Sequence, residues 1–291
     1  MMFDVDHKTH YRYSLPVVQS QHMIHMTPRT TRHQTIVHHS LMIEPAPSMR
    51  QEGLDVFGNR LVFLEIEVPH KDLVVHARST VQTHPGPPAD PSLSVPLACL
   101  DKGIAGIDRG DALDVIRHQC PSRLTVASRE IMDYARSSFH PDRPLLEAAA
   151  DLNRRIFQDF TFDATATDVS TPIGEVFKHR RGVCQDFAHL ALTCLRAVRV
   201  PARYVSGYIL TQPPPGQPRL LGADASHAWF SVWSPEAGWT EFDPTNGVSA
   251  AGEHIAVAYG RDFDDVSPIN GVILGGGEHT VSVAVDVVRT Q

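Results

Sequence analysis

Three residues of this chain have the types and the order needed for covalent acyl transfer. They are Cys184 in Arg-Gly-Val-Cys-Gln-Asp-Phe-Ala-His, His227 in Ala-Ser-His-Ala-Trp and Asp243 in Glu-Phe-Asp-Pro-Thr-Asn. A thiol supplies a nucleophile, an imidazole takes and returns its proton, and a carboxylate orients the imidazole. This chemistry requires three separate segments to converge, so the elements that carry them decide the reading.

The first element is a helix. Phe187, Leu190, Ala191, Cys194, Leu195 and Val198 recur at three-and-four spacing, with Gly182 just before the run and Pro201 just beyond it. Cys184 then falls in the first turn, where unpaired backbone N–H groups and the helix dipole favour an anion, and the thiolate is the nucleophilic form of cysteine. Residues 227–233 and 239–243 are rich in aromatic and β-branched residues and flank Ser-Pro-Glu-Ala-Gly at 234–238, which predicts a hairpin. If Trp233 faces Trp239, His227 lies opposite Thr245 and Asp243 is its diagonal neighbour on the same face. Such neighbours are roughly 7–8 Å apart at Cα, within side-chain reach. A one-residue slip would put the two on opposite faces.

Other residues with chemical potential receive plainer readings. Cys99, Cys120 and Cys194 read as small apolar side chains. Gln185 and Asp186 adjoin the nucleophile, but immediate neighbours on a helix point in different directions, and neither is assigned a catalytic role. The 17 histidines invite a metal site. Yet His7/His10, His22/His25 and His38/His39 lie in strand-like segments without an accompanying thiol or carboxylate cluster, and there is no His-Glu-x-x-His, no Cys-x-x-Cys and no acidic calcium loop. Neither a metal nor a cofactor is expected. Asp262, Asp264 and Asp265 beside Arg261 read as a solvated or salt-bridged turn.

The motifs carry a family resemblance. Thr171-Pro172, Arg181-Gly-Val-Cys-Gln-Asp-Phe-Ala-His, Pro201-Ala-Arg-Tyr-Val-Ser-Gly-Tyr, Ser226-His-Ala-Trp and Gly238-Trp-Thr-Glu-Phe-Asp-Pro-Thr-Asn-Gly follow one another in an order that resembles the bacterial transglutaminase-like superfamily. Tyr11-Arg-Tyr, Asp55-Val-Phe-Gly-Asn-Arg and Val68-Pro-His resemble the β domain that precedes this core in many members. The resemblance implies a papain-like core with a Cys-His-Asp triad at Cys184, His227 and Asp243. It further implies hydrolysis of peptide or amide bonds more readily than crosslinking.

Composition sets outer limits. The 291 residues are 42% hydrophobic and 20% charged, ordinary for a globular protein of two domains, and a net charge of −7 argues against a nucleic-acid surface. The N-terminus lacks a basic segment followed by an apolar stretch, and no apolar run is long enough to span a bilayer, so a cytoplasmic location without membrane attachment is the expectation. Four scattered cysteines suit a reducing compartment.

Residues 1–84 alternate like strands, with Val62, Leu64, Ile66 and Val68 on one face, and read as an N-terminal antiparallel β-sandwich. Residues 85–98, dense in proline, read as a linker. Residues 99–291 read as the core, with helices at 126–139 and 145–160, the nucleophile helix, strands from about 202, and a final strand through the valines at 281, 283, 285 and 287. Helices followed by antiparallel strands make the class α+β. Pro213-Pro-Pro-Gly-Gln-Pro reads as a loop near the cleft. Three functions follow in order: a cysteine hydrolase acting on a peptide or protein through a thioester, an acyltransferase using an amine acceptor, and a non-catalytic peptide-binding scaffold.

Overall fold

The computed structural model describes residues 1–84, 86, 89–210 and 226–290. Its first part is built from β1 (Met2–Ile24), β2 (Gln34–Glu44), β3 (Met49–Leu54), β4 (Arg60–Ile66) and β5 (His70–Thr83). β1 is long enough to change neighbours along its length. Its first half pairs with β5, the pairing breaks between Arg12 and Val17, and its second half pairs with β4. The expected sandwich therefore takes the form of one antiparallel sheet, ordered β2-β5-β1-β4-β3, that curls upon itself. Val17, Ile24, Leu41, Leu64, Leu73 and Val75 fill the concave side. The alternation read from the sequence holds for Val62, Leu64 and Ile66, which are buried, whereas Val68 lies beyond the strand and is exposed.

The helical part contains α1 (Leu100–Ala105), α2 (Arg109–Arg117), α3 (Arg129–Arg136) and α4 (Leu145–Asp159). It continues through β6 (Thr161–Phe162), α5 (Ile173–His179), β7 (Arg181–Gly182) and α6 (Cys184–Ala197). The expected helix at 126–139 starts later because the Ser128 hydroxyl accepts the Ile131 N–H and caps α3 there. Then come β8 (Ala202–Ile209), β9 (Ser226–Ser234), β10 (Gly238–Asp243), β11 (Val248–Ser249) and β12 (His254–Gly260), which form an antiparallel sheet ordered β11-β10-β9-β8-β12. α6 packs on β8 and β9 on one side and on α3, α4 and α5 on the other. It is consequently buried on all faces, not on a single stripe, and its polar residues are matched: His189 Nε2 accepts the Phe263 N–H, and Arg196 donates to the carbonyls of His118 and Ala202. The class is α+β.

The chain ends away from this core sheet. β13 (Ile269–Gly275) and β14 (His279–Arg289) both pair with β1, so the valine-rich last strand joins the N-terminal sheet although the sequence division groups it with residues 99–291. The reason is burial. Val285 and Val287 are fully enclosed and share one hydrophobic cluster with Phe3, Val5 and Val81 and with α6 residues Phe187, Leu190 and Leu195. The two sheets thus meet over a continuous core.

Side-chain amides finish the contact between them. β12 is the edge strand of the core sheet, and unpaired edge groups need partners. Gln34 donates to the Ala256 carbonyl at 2.8 Å and accepts its N–H at 2.9 Å, and Asn59 does the same for Tyr259 at 2.7 and 2.8 Å. Among the described residues no helix is long and apolar enough to cross a membrane. The proline-rich segment at 213–218 lies outside the described residues, and the stretch at 85–98 is described only in part, with a short 3-10 turn at Pro91–Leu93.

Candidate active site

Cys184 is the first residue of α6, half-buried and unpaired with any other cysteine. The turn before it is shaped by Asp186, whose carboxylate reaches back to accept the Val183 N–H at 2.8 Å and the Thr167 hydroxyl at 2.6 Å. This is the reciprocal half of a capping box, and it gives Asp186 a structural role. Gly182 makes the geometry possible: a Cβ there would stand 2.6 Å from Asp186 Oδ2 and 2.9 Å from its Cβ. The Gly-Val-Cys run is thus explained by a close approach. Burial pushes the Asp186 carboxyl up, against the opposing pull of the Thr167 and Val183 hydrogen bonds.

The hairpin register matches the sequence reading. Trp239 faces Trp233 and Phe242 faces Phe230, which continues to place Asp243 diagonally from His227. His227 Nε2 lies 2.8 Å from Asp243 Oδ2, and the Cys184 side chain is near enough to His227 for the two to interact electrostatically. Since Nε2 faces the carboxylate, Nδ1 is the nitrogen left for the sulfur. The three residues selected from the sequence therefore converge in the order sulfur, imidazole, carboxylate.

Their electrostatics follow from burial and partners. Burial disfavours the charged form of His227, but the interactions with Asp243 and Cys184, with their charges, outweigh it and push the imidazole up to about 9. Burial likewise works against an ionised Asp243. Hydrogen bonds from His227, His254 and Asn246 prevail and hold it well below the usual carboxylate range. Cys194 is a contrasting case: fully enclosed, its thiol is pushed up to about 12 by burial, which makes it an inert core group.

Several participants are not evident in the sequence. His254, at the start of β12, places Nε2 3.0 Å from the same Asp243 Oδ2. The Asn246 amide donates to that oxygen at 2.7 Å, and Oδ1 accepts the backbone N–H groups of Thr245 and Asn246 at 2.9 and 3.2 Å. Trp229 stacks on His227, with ring centroids 5.9 Å apart, and donates its indole N–H to Glu241 at 2.8 Å. Glu241 also accepts the Tyr259 hydroxyl at 3.1 Å, and the partly buried Arg203 guanidinium lies over the Tyr259 ring. A histidine opening an apolar run after the Ala-Gly-Glu turn at 251–253 was the available signal for His254, but it does not reveal a partner.

His227, Asp243 and His254 form a group whose composition suits a metal ion. Their hydrogen bonding says otherwise. His254 Nδ1 accepts the Ala251 N–H at 3.3 Å, so Nε2 carries the hydrogen and points it at Asp243. A metal on that nitrogen would require the hydrogen to move to Nδ1, against a backbone donor. The group is a hydrogen-bond cluster around one carboxylate.

Comparison with known proteins agrees with this architecture. Residues 3–82 match the bacterial transglutaminase-like N-terminal region, and residues 132–244 match the transglutaminase-like superfamily. The uncharacterized protein Rv2569c of Mycobacterium tuberculosis is 41% identical over 98% of this chain and 92% of its own length, and ML0607 of Mycobacterium leprae is 31% identical over 98% of each. A protein-glutamine gamma-glutamyltransferase of Pseudomonas aeruginosa is 31% identical over 45% of this chain and 20% of its own length. A Cytophaga hutchinsonii protein, provisionally assigned as a cysteine protease, shares the fold with a TM-score of 0.76 at 21% identity, over 99% of this chain and 90% of that one. The chain belongs to the transglutaminase-like superfamily.

Proposed function

We propose that the protein is a cysteine hydrolase that cleaves peptide or amide bonds of a peptide or protein substrate. The observation that carries the reading is the placement of the His227 imidazole between Cys184 at the start of α6 and the fully buried Asp243, 2.8 Å from Nε2. In the first step Cys184 Sγ attacks the amide carbonyl carbon, and the carbonyl electron pair moves to oxygen. The backbone N–H of Cys184, at the helix start, is the candidate donor to that oxyanion. As the C–N bond breaks, His227 gives its Nδ1 proton to the leaving amine, and a thioester remains. Water then attacks, passes a proton to His227 and releases the thiolate with the acid product. Asp243 accepts the His227 Nε2–H throughout and stabilises the imidazolium.

An acyltransferase is the second reading, favoured by the name of the Pseudomonas aeruginosa relative. It differs only in the acceptor, an amine in place of water. Both readings are tested by offering a peptide library with and without a primary amine and weighing the products. Hydrolysis predicts acid products whether or not amine is added, and transfer predicts amine adducts. Unchanged turnover in Cys184→Ala would overturn both readings. A reducing, cytoplasmic setting belongs to the proposal, supported by four unpaired cysteines.

A further inference from the structure

We propose that His254 is a positioning residue for the triad, a second imidazole whose task is to lock the Asp243 carboxylate against His227. The inference rests on reading Cys184, His227 and Asp243 as the reacting unit. His254 cannot transfer protons to substrate in this arrangement: Nδ1 is occupied by the Ala251 N–H and Nε2 faces Asp243 Oδ2. What it does is complete a set of donors. Oδ2 receives His227, His254 and the Asn246 amide, Oδ1 receives two backbone N–H groups, and Asp243 is fully buried. A carboxylate held on both oxygens cannot rotate away from the imidazole it must orient, and partners of this outer kind commonly change the performance of the group they hold.

The His254 ring is itself fixed. Its side chain is 7% exposed, and the Trp229 ring meets it edge-on at 5.1 Å while also stacking on His227. Among the described residues, the charged and titratable groups around the cluster include Cys184 from α6, His227 from β9, and Glu241 and Asp243 from β10. The strand that carries His254 is braced along its free edge by Gln34 and Asn59. The N-terminal part of the chain is thereby tied to the strand that carries His254.

The test compares His254→Gln, whose amide nitrogen reaches the Nε2 position, with His254→Asn, which is as polar but one methylene too short. Cys184 labelling by iodoacetamide is followed by peptide mapping at about pH 6 and about pH 9. A free thiol gives a rate ratio between these conditions on the order of 1:200, and an imidazolium-paired sulfur a ratio near unity. The wild-type protein and the Gln variant are expected to agree within about threefold, with the Asn variant's ratio about tenfold lower. A ratio unchanged in the Asn variant, or labelling reduced equally at both pH values, overturns the positioning role. A free-thiol ratio in the wild-type protein overturns the reading of the triad itself, and this inference with it.

Discussion

The Asn59 side chain closes both backbone hydrogen bonds of Tyr259, donating to its carbonyl at 2.7 Å and accepting its N–H at 2.8 Å. A side chain from the turn between β3 and β4 thus behaves as one residue of a missing neighbour strand. Asn59→Ala leaves two buried backbone groups and the Arg29 guanidinium without this partner. A loss of about 2 kcal/mol or more is expected, read as a lower urea midpoint at unchanged m-value. An unaltered midpoint would show that the amide contact contributes nothing to the joining of the sheets.

Asp243→Asn replaces an acceptor of five hydrogen bonds with a group whose nitrogen must oppose several donors. Turnover is expected to fall on the order of a thousandfold or more, because the His227 imidazolium loses its counter-charge and its orientation. Steady-state kinetics on any substrate found by library screening check this, with circular dichroism to confirm folding. A loss below tenfold would remove Asp243 from the mechanism.

The pH dependence of stability has a defined sign. His227 moves from about 6.5 in the unfolded chain to about 9 in the folded one, so its contribution is complete below the unfolded value and is lost as pH rises through about 9. Asp243, held low, contributes above its unfolded value and loses that contribution as pH falls below it. Between the two His227 values the unfolding free energy should decline more steeply in the wild-type protein than in His227→Gln. Histidine NMR should show His227 titrating near 9, and lower in Cys184→Ala. A His227 titration near 6.5 in the wild-type protein would contradict the coupling.

Gly182→Ala places a methyl group against the Asp186 carboxylate. The cap on the Val183 N–H should open and the start of α6 should shift, slowing Cys184 labelling at low pH while the rest of the fold persists. Labelling equal to that of the wild-type protein would mean that the turn tolerates the added atom.

Much of the site is legible in the sequence because it depends on local rules. The start of α6 follows from apolar spacing and Gly182, and the hairpin register follows from counting through the turn between Trp233 and Trp239. What is not legible depends on distant pairing. His254 resembles any of 17 histidines until β12 is placed beside β8. The return of β13 and β14 to β1 leaves no trace in the alternation of valines, since period two reports a buried face and not which sheet supplies it. Gln34 and Asn59 read as a strand residue and a turn residue, and only the free edge of β12 reveals what their amides do.

The measurement that bears most directly on the central claim is the rate of Cys184 alkylation by iodoacetamide against pH, with peptide mapping and with His227→Ala for comparison. The Cys184–His227–Asp243 arrangement predicts fast labelling of Cys184 on a plateau extending well below pH ~8, abolished in the variant. Labelling that rises only near the free-thiol value of about 8.5 and is indifferent to His227 would contradict it.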